Sequence, residues 1–191
     1  ANKPCSSSYY YFTFFHHFEI DGGGSEFIFH GRVVPFVIEA SSHLKIHNFS
    51  IDWARSFHSE AVVIGGSKKD QWLDLKIDKQ LFPYTIKGEE LVFQGPDWEE
   101  PLGQNIVFDP KTRSPIYKTG QYVLPHLLRS DLKAKQLGPD IVRIHTRIKS
   151  VPPVGSILIG KGSPGTNRLT PGFRVYNNRN IELKDINIHH A

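Results

Sequence analysis

The sequence predicts an all-β fold: coils of a right-handed parallel β-helix, interrupted by an inserted antiparallel β-barrel or sandwich domain. Three observations carry this expectation. The text from Phe36, FVIEASSHLKIHNFSIDWA, overlays without gaps on the last nineteen residues, FRVYNNRNIELKDINIHHA from Phe173. An earlier segment, FEIDGGGSEFIF from Phe18, places Phe18 and Ile20 on Leu44 and Ile46. Between the second and last copies lies unrelated text with short apolar runs separated by Gly, Pro and Asp turns.

The elements follow in order. Residues 1–17, ANKPCSSSYYYFTFFHH, match neither the repeat nor the insertion. In HLKIHNFSI and NIELKDINI the apolar residues alternate, skip a polar pair and alternate again, which reads as two short strands joined by a corner. The corner pairs are His47-Asn48 and Lys184-Asp185. Asn and Asp tolerate left-handed backbone angles and suit a sharp bend. In the first copy the corner begins at Asp21-Gly22 and runs on into Gly23-Gly24. A repeat in the twenties with such corners is the signature of a solenoid, in which each coil buries its apolar side only against its neighbours. The last coil carries no cap, so the chain is expected to continue past Ala191 or to be covered there by a partner.

About seven strands are expected in the insertion: AVVIGG, WLDLKID, LVFQG, NIVFD, QYVL, DIVRIHTRI and SILIGKG. IVRIHTRI alternates apolar and basic residues, as a half-solvated antiparallel strand does. KSVPPVG and GKGSPGTNRLTPG read as loops. The expected domains are thus 1–53 for the N-terminal segment and first coils, 54–172 for the insertion, and 173–191 for the resumed coil.

Composition excludes several function classes. The 191 residues are 39% hydrophobic and 22% charged, as in ordinary globular proteins. The net charge of +4 is dispersed, without the clustered basic footprint of a nucleic-acid groove. No apolar run approaches the ~20 residues that span a bilayer as a helix, so no membrane insertion is expected. The lone Cys5 excludes an intrachain disulfide and a multi-cysteine zinc site. A chain that begins with Ala and contains no Met is expected to be processed, or a piece of something longer.

Chemistry is expected where polar residues follow an inward apolar one at the end of a coil. There Asp52 aligns with His189, and Trp53 with His190. Stacked in register, these four form either a ledge lining a sugar pocket or a plain polar shoulder. The second reading has Asp52 accepting a corner hydrogen bond, a common use of short polar side chains. Adjacent histidines on a strand point to opposite faces, so neither His189-His190 nor His16-His17 suits a shared metal ion, and no metal is expected. The glycines of EIDGGGSEF lack the Lys-Ser/Thr and the helix of a phosphate loop. GPDWEE places Trp98 between acids and reads as a surface turn, with contact to sugar as the alternative. Glycoside hydrolysis usually needs two carboxyls. Asp52 is one candidate, while Glu39 and Glu182 sit mid-strand and are expected to face solvent.

IDGGGSEFIFHGRVVPFVIEASSHLKIHNFSIDWARSFHSEAVVIG, FPYTIKGEELVFQGPDW, FDPKTRSPIY and NNRNIELKDINIHHA together resemble the α-galactosidases of glycoside hydrolase family 110. The resemblance runs in one order over roughly residues 18–191, insertion included. It implies a β-helix with an inserted β-barrel. It also implies an exo-acting enzyme, independent of metal and without cofactor, that removes terminal α-1,3-linked galactose with inversion. The implied partner is a galactosylated oligosaccharide or glycan, the implied location secreted or periplasmic, and a homodimer is left open. The family's catalytic acids, a paired-aspartate motif among them, are expected after residue 191, so no catalytic residue is assigned. Asp52, Trp53, Arg55 and His58 occupy matching positions and are expected to shape the substrate pocket with His189 and His190. Two rival readings are a non-catalytic β-helix that binds carbohydrate or serves structure, and a lyase or polygalacturonase-like β-helix. The latter needs clustered Asp, Lys and Arg or calcium carboxylates on one face, and these are not seen.

Overall fold

The computed structural model describes residues 10–117, 132–161 and 171–190, and every regular element among them is a strand. The chain divides into two compact units, Ala1–Ser56 with Arg168–Ala191, and Phe57–Asn167.

The first unit holds two three-stranded parallel sheets. One has β3 (Phe36–Glu39) between β1 (Tyr10–Thr13) and β14 (Phe173–Tyr176). The other has β4 (Ser42–Trp53) between β2 (His16–Phe29) and β15 (Arg179–Ile188). Pairing follows the sequence repeat residue by residue. Phe36 meets Phe173, Leu44 meets Ile181, Ile46 meets Leu183 and Ile51 meets Ile188, and Phe18 and Ile20 lie on Leu44 and Ile46. The register shifts between Asp21 and Ser25, where the glycine run of β2 faces the single corner residue Asn48. Gly22 lies so close to this corner that a Cβ there would stand 2.6 Å from Phe49 Cβ.

Left-handed backbone angles recur in the same register. Phe14, Ala40 and Asn177 form one set, His17, His43 and Asn180 a second, and Asn48 and Asp185 a third. Asn48 and Asp185 are the corner residues anticipated for this conformation. Side chains join successive copies at the first bend. Ser41 Oγ accepts the Phe15 N–H at 3.1 Å, and Asn178 Oδ1 accepts the equivalent Ser41 N–H at 2.7 Å.

The core of this unit lies on the central copy. Phe36, Ile38, Leu44, Ile46, Phe49 and Ile51 are buried, whereas Leu183 and Ile188 on β15 are 42% and 45% exposed. Phe36 stacks between Tyr10 and Phe173 at centroid distances of 5.3 and 4.9 Å. The structure corrects the reading of residues 1–17 as outside the repeat. Tyr10–Thr13 forms β1, paired with β3, and His16-His17 opens β2. The run YYFT is aromatic on both faces, which erases the alternation that would reveal a strand.

The second unit is antiparallel throughout. Its larger sheet has the order β10-β13-β5-β6-β12-β11, formed by β5 (Ser59–Ser67), β6 (Trp72–Lys76), β10 (Asn105–Phe108), β11 (Lys133–Gln136), β12 (Ile141–His145) and β13 (Ile157–Gly160). A meander of β7 (Tyr84–Lys87), β8 (Glu90–Gln94) and β9 (Glu99–Pro101) makes the smaller sheet. Val63, Leu73, Leu75, Val142, Ile144 and Leu158 fill the core. Arg143, outward on β12, grips Asp74 of β6 through two hydrogen bonds of 2.7 and 2.8 Å and lies 4.0 Å above the Trp72 ring. The strands β7, β9 and β11 were not anticipated. The expected QYVL strand and most of the GKGSPGTNRLTPG loop lie outside the described residues.

Candidate functional site

The end of β4 and the residues after β15 bring Asp52 and His190 together, with His190 Nδ1 2.9 Å from Asp52 Oδ1. The same carboxylate oxygen accepts the Trp53 N–H at 2.7 Å. An ionised carboxylate only accepts hydrogen bonds, so His190 Nδ1 carries the hydrogen in this contact. That fixes the ring and leaves Nε2 on its far side, either to accept from a ligand hydroxyl or, when the ring is protonated, to donate to one. The Asp52 side chain is 22% exposed and that of His190 60%, so the pair meets solvent.

The other expected residues fall into three places. Trp53 is buried, its ring 6.3 Å from Phe29, and serves the core. Its placement on a sugar-facing ledge is therefore corrected: the strand turns this indole inward with the apolar set of β4. His189 lies beside the pair, its ring 6.3 Å from that of His190, and its N–H donates to the Ile51 carbonyl at 2.9 Å. Arg55 donates through Nη1 to the carbonyl and hydroxyl of Ser56, at 2.5 and 3.2 Å. Burial pushes its guanidinium down to about 10, because removing water disfavours the charged form. His58 belongs to the second unit, where Nε2 stands 3.4 Å from Glu60. The Asp52 carboxylate bonds the backbone at its own corner and also engages one histidine from the distant copy.

Trp98, offered above as a surface aromatic, is buried against Phe57 at 6.1 Å between centroids. Glu99 pairs with Lys87, and the neighbouring Glu100 is buried. Among the described residues, no three His, Cys, Asp or Glu side chains converge so as to hold a metal ion.

Two groups escaped the sequence reading. His17 and His43 stack at 4.5 Å, and the Asn180 amide stands 3.4 Å from the ring nitrogens of His43. All three occupy left-handed positions in register. The second group joins Tyr11, Glu39 and Tyr176, with the Tyr11 hydroxyl donating to Glu39 and standing 3.5 Å from the Tyr176 hydroxyl. Both groups were present in the repeat, had its register been extended back to residues 10–17.

Residues 59–158, more than half of the chain, match the family described as GLAA-B β-barrel domain I. The chain belongs to this family. The match falls within the second unit, whose antiparallel sheets supply its strands. Curated relatives extend the similarity to the first unit. An α-1,3-galactosidase A of Shewanella woodyi is 32% identical over 180 residues, covering 94% of this chain and 28% of the relative. An α-1,3-galactosidase B of Akkermansia muciniphila is 31% identical over 174 residues, covering 90% of this chain and 20% of the relative. An α-1,3-galactosidase B of Bacteroides thetaiotaomicron is 29% identical over 176 residues, covering 90% of this chain and 27% of the relative. The chain therefore spans a fifth to just over a quarter of the length of these relatives. They agree with the resemblance read from the sequence.

Proposed function

We propose that this chain forms part of a glycoside hydrolase that removes terminal α-1,3-linked galactose, with inversion, from an oligosaccharide or glycan. The observation that carries this reading is the similarity to relatives named α-1,3-galactosidases, which extends over 90% or more of the chain and through both units. In this reading the two parallel sheets are the first coils of a right-handed parallel β-helix. The common register of their pairs and the recurring left-handed corners support it. The residues 54–172 are then a domain inserted between two coils. Asp52 and His190 supply a polar edge to the substrate pocket, with His189 and Arg55 beside it, and the acids that cleave the bond lie outside this chain. The enzyme acts outside the cytoplasm, as a secreted or periplasmic protein.

Linkage selectivity tests this function. The native polypeptide that carries the chain is expected to release galactose from α-1,3-galactobiose far faster than from the α-1,4- and α-1,6-linked disaccharides. Binding of galactosides without release would assign the chain to a non-catalytic carbohydrate module instead.

A further inference from the structure

The sheet β1-β3-β14 has one apolar and one polar face. Tyr10, Phe36 and Phe173 align on the apolar side, where their rings stack. Alternation then places two other rows on the opposite side: Tyr11, Val37 and Arg174, and Thr13, Glu39 and Tyr176. Parallel sheets are usually covered on both faces. Here the second face carries two phenols, a carboxylate, a guanidinium and a hydroxyl around the buried Val37, and Tyr11 and Tyr176 are 46% and 38% exposed.

The side chains converge. Tyr11, from the first row, reaches diagonally across to donate its hydroxyl hydrogen to Glu39. The Tyr176 hydroxyl, from the third copy, stands 3.5 Å from that of Tyr11. These phenols, Tyr11 first, hold the Glu39 carboxyl below its ordinary range and keep it ionised. An ionised carboxylate offers about four lone-pair sites, and the two phenols take up only part of that capacity. Such a surface suits a ligand with several hydroxyl groups on a ring. The hydroxyls donate to the carboxylate and accept from Arg174, and the apolar ring face lies on a phenol.

We propose that this face, centred on Glu39 with Tyr11, Tyr176 and Arg174, is a binding site for a galactoside. The choice of galactose as the sugar rests on the function proposed above, whereas the site rests on this geometry. It draws a residue from each of the three copies, so it forms only when the distant segment from Phe173 returns to the sheet.

The test titrates methyl α-D-galactopyranoside by calorimetry into the native polypeptide and its Glu39→Gln and Tyr176→Ala variants, with galactose release from α-1,3-galactobiose measured alongside. Loss of a charge-assisted hydrogen bond or a stacking ring is expected to weaken binding by roughly tenfold or more in each variant. Tyr176→Ala keeps the bond from Tyr11 to Glu39 and decides the matter if Glu39→Gln fails to fold. Affinity within about twofold of the parent in the folded variants would overturn the site, and release by the parent would leave the proposed activity standing. Binding that depends on Glu39 and Tyr176 in a parent that releases no galactose would keep the site and remove the activity. A parent that neither binds nor releases would overturn both.

Discussion

Phe36 tests whether the three copies share one core. Its side chain is 3% exposed. The ring lies nearly parallel to Tyr10 and Phe173, with interplanar angles of 20° and 16°, and meets Phe27 edge-on. Truncation by Phe36→Ala removes a whole buried ring from the central strand, which costs about 3–5 kcal/mol. Phe36→Leu keeps most of the buried apolar surface but loses two stacked pairs worth ~0.5–1.5 kcal/mol each, so about 1–3 kcal/mol is expected. Phe18→Ala serves as a control on an outer strand, because Phe18 is already 40% exposed and has less transfer energy to lose. Urea titration of the native polypeptide, followed by far-ultraviolet circular dichroism, gives all three values. A cost below about 1 kcal/mol for Phe36→Ala would refute the shared core, since no well-packed ring is that cheap to remove.

Three further outcomes are expected. Asn48 holds φ at 65° and donates to Asp21 at 2.9 Å, so Asn48→Val should lower stability by about 1–2 kcal/mol or more and Asn48→Gly by less, read from thermal melts. Arg143→Lys should cost about 1–2 kcal/mol by chemical denaturation, because an ammonium can neither make the paired bonds to Asp74 nor stack on Trp72 in the same way. The pair Glu19–Lys45 predicts a pH dependence. Hydrogen bonds from Lys45 and then His47 lower the Glu19 carboxyl, so its contribution is present above the ordinary carboxylate range and lost as pH falls through the folded value. Glu19 in turn raises Lys45, whose contribution is present below the ordinary lysine range and lost as pH rises through the folded value. Glu19→Gln should therefore flatten the melting temperature against pH at both extremes, and added salt should shrink the effect because both groups are exposed.

The parallel sheets were legible because the repeat has no gaps. Leu44, Ile46, Phe49 and Ile51 recur as Ile181, Leu183, Ile186 and Ile188, and the strands pair in that register. The corners were legible from Asn48 and Asp185, whose side chains suit the left-handed backbone they adopt. The run at β1 was not, because aromatic residues fill both of its faces. Nor was β11: in KAKQ only Ala134 is buried, so the edge strand shows no apolar pattern. At the candidate site, alignment brought the right segments together but not the right atoms. It set Asp52 beside His189, whereas the carboxylate reaches His190, whose backbone takes a left-handed turn with φ at 49°. Trp53 was misplaced because an indole reads equally as a sugar platform or as core, and only its burial decides. The group around Glu39 depends on Tyr11, and so on the strand that the sequence concealed.

The most direct test of the account is a proton NMR time course of α-1,3-galactobiose hydrolysis by the native polypeptide, following the anomer of galactose that appears first. The account predicts β-galactose ahead of mutarotation, since water enters from the face opposite the leaving group in an inverting enzyme. Initial release of α-galactose would contradict the inverting assignment, and no release at all would contradict the proposed activity.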